Sequence, residues 1–121
     1  MEFDALLKLG MKGEKTSPVT EQNTAAALGS GGLMVYATPA MVALMEGACV
    51  AAVDSALPDG FSTVGTALDI THSAATPLGM TVRGVGELTG IEGRGLLFRV
   101  EAFDGSGKIG EGIHKRFIIE N

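Results

Sequence analysis

The sequence predicts an α+β fold in which one long buried helix is followed by an antiparallel meander. Two observations carry this. The run Met41–Val53 is apolar nearly all round, with Glu46 in its middle, and a helix without a polar face is normally wrapped by other structure. From about residue 61 the pattern changes to period two, in runs over roughly 61–75, 80–89, 95–104 and 108–119. Turn-forming stretches separate these runs: Pro77-Leu78-Gly79, Gly90-Ile91-Glu92-Gly93 and Asp104-Gly105-Ser106-Gly107. Links this short favour antiparallel neighbours, because a parallel crossover needs about a dozen residues or more.

In chain order, residues 1–12 read as a loosely ordered lead-in or a short helical turn around Ala5-Leu6-Leu7. Glu14 to Asn23 reads as a polar first strand. Leu28-Gly29-Ser30-Gly31-Gly32 is a flexible segment of the kind that covers or borders a site. Thr38 is placed as N-cap of the long helix and Pro39 as its first residue. Pro58-Asp59-Gly60 closes the helix with a turn. In the run over 95–104, Leu96, Phe98, Val100 and Ala102 share one face. Neither an internal repeat nor a linker divides the chain, so residues 1–121 are expected to form a single domain.

Composition narrows the function classes. A chain of 121 residues can bury a real core without staples. Its apolar fraction of 45% excludes a disordered chain. No apolar run reaches the length of a membrane span, and the acidic start Met1-Glu2-Phe3-Asp4 lacks the basic opening of a signal peptide. One cysteine, Cys49, cannot form an internal disulfide or a multi-thiolate metal site. A reducing, cytoplasmic setting is therefore expected, without a membrane partner. A net charge of −5, no Trp and a single Tyr argue against nucleic acid.

Two residues stand out chemically. In Gly65–Pro77, strand alternation puts Leu68, Ile70, His72 and Ala74 on one face and Asp69, Thr71 and Ser73 on the other. His72 is thus an imidazole on the inward face. It is either a core histidine held by one hydrogen bond or a proton-transfer group, since histidine alone titrates near neutrality. Glu46 is the second. Val42, Met45, Cys49 and Val50 stand at helical spacing from it, and a buried carboxylate must be paired, protonated or facing a cavity. If Glu46 and His72 met, they would make the base-and-orienter half of a hydrolytic site. Thr38 is a candidate third member, as nucleophile or hydrogen-bond donor, although an N-cap threonine already has a structural task. A metal is not expected, because no second His stands at ligand spacing. His114 lies off the apolar face formed by Ile109, Ile113 and Phe117 and is expected to be exposed.

Thr38-Pro39-Ala40-Met41-Val42-Ala43-Leu44-Met45-Glu46-Gly47-Ala48-Cys49, followed by Gly65-Thr66 and Thr71-His72-Ser73-Ala74-Ala75-Thr76-Pro77, resembles the fluoroacetyl-CoA thioesterase-like branch of the hotdog-fold thioesterases. In that family a threonine at the start of the central helix, a glutamate eight residues on and a histidine twenty-six residues further form the catalytic set; Thr38, Glu46 and His72 keep those spacings. The likeness covers about residues 33–118. It implies a hotdog fold, a homodimer, an acyl-CoA or related thioester as substrate, and no cofactor, coenzyme A being part of the substrate. Gly65 matches a family glycine beside the site. Arg83, Lys115 and Arg116 are candidate contacts for coenzyme A phosphates on charge alone, and are otherwise solvated surface charges. The segment before Thr38 departs from the family. The fluoroacetyl-specific enzyme carries bulky phenylalanines there, whereas Gly29–Tyr36 is glycine-rich with Tyr36 as its only aromatic. Tyr36 is taken as a substrate-side residue. The resemblance thus implies the reaction class rather than the acyl group. The alternative is a non-catalytic module of the same fold that binds acyl-CoA or another small apolar ligand.

Overall fold

Pro39 and the apolar run behind it open the central helix as the sequence predicts, but its N-cap is Ala37 and carries no side-chain cap bond. Thr38 is the first residue of α2 (Thr38–Val53), so its hydroxyl is released from capping. The computed structural model describes residues 3–121; Met1 and Glu2, the start of the expected lead-in, lie outside them. That lead-in is a 3-10 turn over Phe3–Ala5, with Phe3 and Leu7 buried in the core. The remaining elements are β1 (Lys12–Pro18), which ends before a 3-10 turn over Glu21–Asn23 where the sequence had the strand continue, a short helix α1 (Ala25–Leu28), and the strands β2 (Phe61–His72), β3 (Thr81–Glu92), β4 (Gly95–Asp104) and β5 (Gly107–Glu120). The flexible segment is thus partly helical: Thr24 caps α1 by accepting from the Ala27 N–H, and Gly29 ends it with φ 71°.

The five strands form one antiparallel sheet in the order β1-β3-β4-β5-β2. α2 lies across its inner face, over β1 and β3 most of all. Leu96, Phe98, Val100 and Ala102 point at the helix and are buried. Opposite them Met41, Met45, Ala48, Cys49, Ala52 and Val53 are equally closed off. Burying each large side chain here stabilises by roughly 1.5–3 kcal/mol. Glycines bring helix and sheet close. A Cβ at Gly86 would stand 2.7 Å from Cys49 Sγ, and one at Gly13 would run into the Ala48 carbonyl. With the 3-10 turn that follows it, the helix runs for 19 residues, Thr38–Ala56, long and apolar enough by composition to cross a membrane. The sequence reading found no run of that length; here the apolar side packs on the sheet.

Three irregularities set which residues face inward. Thr66 is the extra residue of a β2 bulge, with Gly65 opposite Arg116 and Ala67 opposite Lys115. Thr89 is skipped in the same way between β3 and β4, and Ile109 between β4 and β5. The Ile109 bulge corrects the expectation for His114. Past it the phase of β5 flips, so His114, Arg116 and Ile118 turn inward while Ile113 and Phe117 face out. His114 is buried, not exposed.

Like β1 at the other side of the sheet, β2 is an edge strand. Leu68 lies on its inner face beside His114 yet remains 39% exposed, because α2 scarcely touches this strand. Val64, on the outer face with Phe117, is exposed as well.

Candidate active site

His72 ends β2, where Gly110 is its cross-strand neighbour. Glycine is required at that neighbour, since a Cβ there would meet Met41 Sδ at 2.7 Å. The α2 start and the end of β2 therefore converge, and Thr38 Oγ1 lies 2.7 Å from His72 Nδ1. The segment after His72 is pinned on both sides. Ser73 N–H donates to the Ile109 carbonyl at 2.7 Å, and Tyr36 N–H to the Thr76 carbonyl at 2.8 Å. The buried Thr76 hydroxyl donates to Asp104 Oδ2 at 2.7 Å. His72 Nε2 is closed off from solvent and has no hydrogen-bond partner among the described residues. Burial holds the His72 pKa below its ordinary 6.5, although the Ala74 backbone pushes the other way, so the ring is neutral at neutral pH.

Beside this pair opens a cleft of about 260 Å³ lined by Ser30, Val35, Tyr36, Thr38, His72 and Ala74 among others. The glycine-rich segment thus borders the site, as expected. Tyr36 is buried and walls this cleft off from a second one of about 350 Å³ that reaches Lys15 and Asn23. Burial pushes its phenol up to about 12, so it stays protonated.

Glu46 stands elsewhere. It follows Thr38 by eight helical residues, about 12 Å of rise, and its carboxylate faces Gly65. Gly65 precedes His72 by seven strand residues, roughly 20 Å. The structure thus brings Thr38 and His72 together and leaves Glu46 apart from them within the chain, because it meets β2 at Gly65, further along both the helix and the strand. A Cβ at Gly65 would lie 2.9 Å from Glu46 Oε2, 3.1 Å from His114 Cε1 and 3.4 Å from Arg116 Nη1. Glycine there lets a carboxylate, an imidazole and a guanidinium share one spot.

Arg116 is 7% exposed and so is not a solvated surface charge. Its Nε donates to Thr63 Oγ1 at 2.8 Å and its Nη2 to the Thr63 carbonyl at 2.9 Å. Its Nη1 lies 3.0 Å from His114 Nε2 and 3.6 Å from Glu46 Oε2. Arg83 faces the outer side, 4.7 Å over the Phe103 ring and 3.5 Å from Glu14 Oε2. Lys115 is exposed on the outer face. Neither borders the Thr38–His72 cleft. Thr63, His114 and the Ala67 carbonyl were missed by sequence reasoning. Counting alternation backwards from Ile118 would have found His114.

One long helix laid across a five-stranded antiparallel sheet defines a hotdog-fold chain, and the hydroxyl–imidazole pair where helix start and strand end meet is its candidate site. A sequence model described as fluoroacetyl-CoA-specific thioesterase matches residues 19–121, and the chain belongs to that family. It is 51% identical over 85 residues to the fluoroacetyl-CoA thioesterase of Streptantibioticus cattleyicolor. That match covers 70% of this chain and spans 61% of the relative's length. A solved structure of a fluoroacetyl-CoA thioesterase superposes with TM-score 0.87 at 39% identity, covering 94% of this chain and 89% of the other. A hot-dog-like protein from Thermanaerovibrio acidaminovorans superposes with TM-score 0.89 at 24% identity over 100% of this chain and 90% of its own, which speaks for the fold alone.

Proposed function

We propose that this chain is a thioesterase that hydrolyses an acyl-CoA to a free acid and a thiol, working as a homodimer. The observation that carries the reading is the 2.7 Å contact of Thr38 Oγ1 with His72 Nδ1 at the wall of an open cleft, in a chain of a thioesterase family. Neutral His72 takes the proton of the Thr38 hydroxyl, or of a water held by it, as oxygen attacks the thioester carbonyl. It returns that proton to the departing sulfur, and where Thr38 itself attacks, a water deprotonated by His72 then cleaves the acyl-threonine ester to the free acid and restores the hydroxyl. This needs no cofactor. Tyr36 lines the substrate side.

The third member, Glu46, is supplied across the dimer in this reading. β2 has one unpaired edge and a bare inner face around Leu68, and exposed edges invite pairing. Two β2 strands pairing antiparallel about an axis near Leu68 and Asp69 would put Gly65 of one copy beside His72 of the other. The partner subunit's Glu46 would then come beside the His72 ring, whose Nε2 has no hydrogen-bond partner among the described residues. A carboxylate there orients the ring and stabilises its charged form, as in a hydroxyl–imidazole–carboxylate triad. The glycine-rich segment before Thr38 supports an open acyl site rather than one shaped for a single small acyl group.

Thiol release from a panel of acyl-CoAs tests this. Wild type should turn over at least one member, with His72→Ala and Glu46→Ala each slower by about 10²–10⁴-fold and both still folded. Heat protection by acyl-CoA without thiol release would make the chain a binding module instead.

A further inference from the structure

We propose that His114 is a positioning residue for this reaction, fixing Arg116 and through it the direction of the Glu46 carboxylate. The inference rests on the thioesterase reading above. Its ring has one possible state. Nδ1 lies 2.8 Å from the Ala67 carbonyl, which only accepts, so Nδ1 carries the proton. Nε2 lies 3.0 Å from Arg116 Nη1, which only donates, so Nε2 accepts. The ring is therefore neutral, and its 3.8 Å approach to Glu46 Oε2 is not an ion pair. Burial holds its pKa below 6.5; the Ala67 carbonyl opposes this, Arg116 adds to it and Glu46 opposes it.

With Thr63 holding Nε and Nη2 and His114 holding Nη1, the guanidinium has one orientation. Its Nη1 then lies 3.6 Å from Glu46 Oε2, an ion pair on a side chain that is 40% exposed and makes no side-chain hydrogen bond among the described residues. The charged groups facing His114 are Glu46 from α2 and Arg116 from β5. Its β4 neighbour is Phe98, and its β2 neighbour is Leu68. Protonating His114 would put an N–H against the guanidinium and release Arg116. Full turnover therefore calls for two neutral histidines, His72 as base and His114 as acceptor.

The test compares His114→Leu, which lacks the acceptor, with His114→Gln, whose amide oxygen can replace Nε2. His114→Leu should lower kcat about tenfold to a hundredfold, the size of a lost hydrogen bond to a charged group, with KM little changed. His114→Gln should recover most of that. The acid limb of log kcat/KM should fall with a slope near two in wild type and near one in His114→Gln, a change that a merely structural role would not produce. Circular dichroism and melting confirm that both variants fold. If His114→Leu is folded and keeps wild-type kcat, or if the slope is the same in wild type and His114→Gln, the positioning role is wrong and the thioesterase reading stands. If His114→Leu does not fold, the slope in His114→Gln decides. If wild type releases no thiol from any acyl-CoA, both fall.

Discussion

A hydroxyl 2.7 Å from an imidazole nitrogen is a nucleophile–base pair only while that imidazole is neutral. Burial secures this by lowering the His72 pKa from 6.5, and it does the same for His114. Each ring binds a proton more readily in the unfolded chain than in the fold, so stability is lost as pH falls from about 6.5 towards the folded values. Asp104 adds a second step. Burial pulls its pKa up, but the Thr76 hydroxyl and the Ser106 and Gly107 amides together take it below its ordinary 3.8. Its contribution is present above 3.8 and is lost as pH falls through the lower folded value. Glu101, held below its ordinary 4.5 by the Lys108 hydrogen bond, behaves as Asp104 does. Urea midpoints followed from pH 8 to 3 should therefore decline in two stages, the first beginning near 6.5 and the second near 4.5. A flat midpoint down to pH 5 would contradict the histidine assignments. Alternation alone made His72 legible as an inward residue. Thr38 was a candidate member of the site, but its direct contact with Nδ1 was not legible, because an N-cap hydroxyl would be turned to its own helix.

At the scale of elements, helix and sheet fit because glycine stands where α2 presses hardest. The shortest approach to a side chain at Gly86 is Cys49 Sγ at 2.7 Å, with the Cys49 N at 3.0 Å. The backbone of a helix cannot yield as a flexible side chain does. Gly86→Ala should cost about 1–3 kcal/mol by overpacking, a melting temperature lower by several degrees or more, read by calorimetry. An unchanged melting temperature would show that helix and sheet are not locked at this point. Elements bounded by turn signals were legible: the run over 95–104 coincides with β4, and those after residue 60 all became strands. Facing in β5 read two ways, because the bulge at Ile109 leaves no mark in composition and alternation counted forward from Ile109 opposes that counted back from Ile118.

For the whole molecule, the unpaired edge of β2 and the exposed Leu68 predict a dimer in sedimentation, with Leu68→Lys shifting it towards monomer and lowering thioester turnover. The triad shared between copies makes a sharper prediction. Glu46→Ala and His72→Ala preparations, each inactive, should regain roughly a quarter of wild-type activity when unfolded and refolded together in equal amounts. Half of the random pairs then carry one intact site and one doubly defective site. If mixing restores nothing, each site is contained in one chain. The resemblance implied a dimer, whereas composition was silent on it, since the bare face is defined by which strand ends up at the edge.

The extra residue in β2 has a consequence of simple counting. Gly65 and His72 are an odd number of places apart, so a regular strand would send one of them to each side of the sheet. Thr66 converts odd to even. A β2 that kept Thr66 but paired regularly with β5 would hold every chemical group named above and still be unable to present the glycine's spot and the imidazole to the same side.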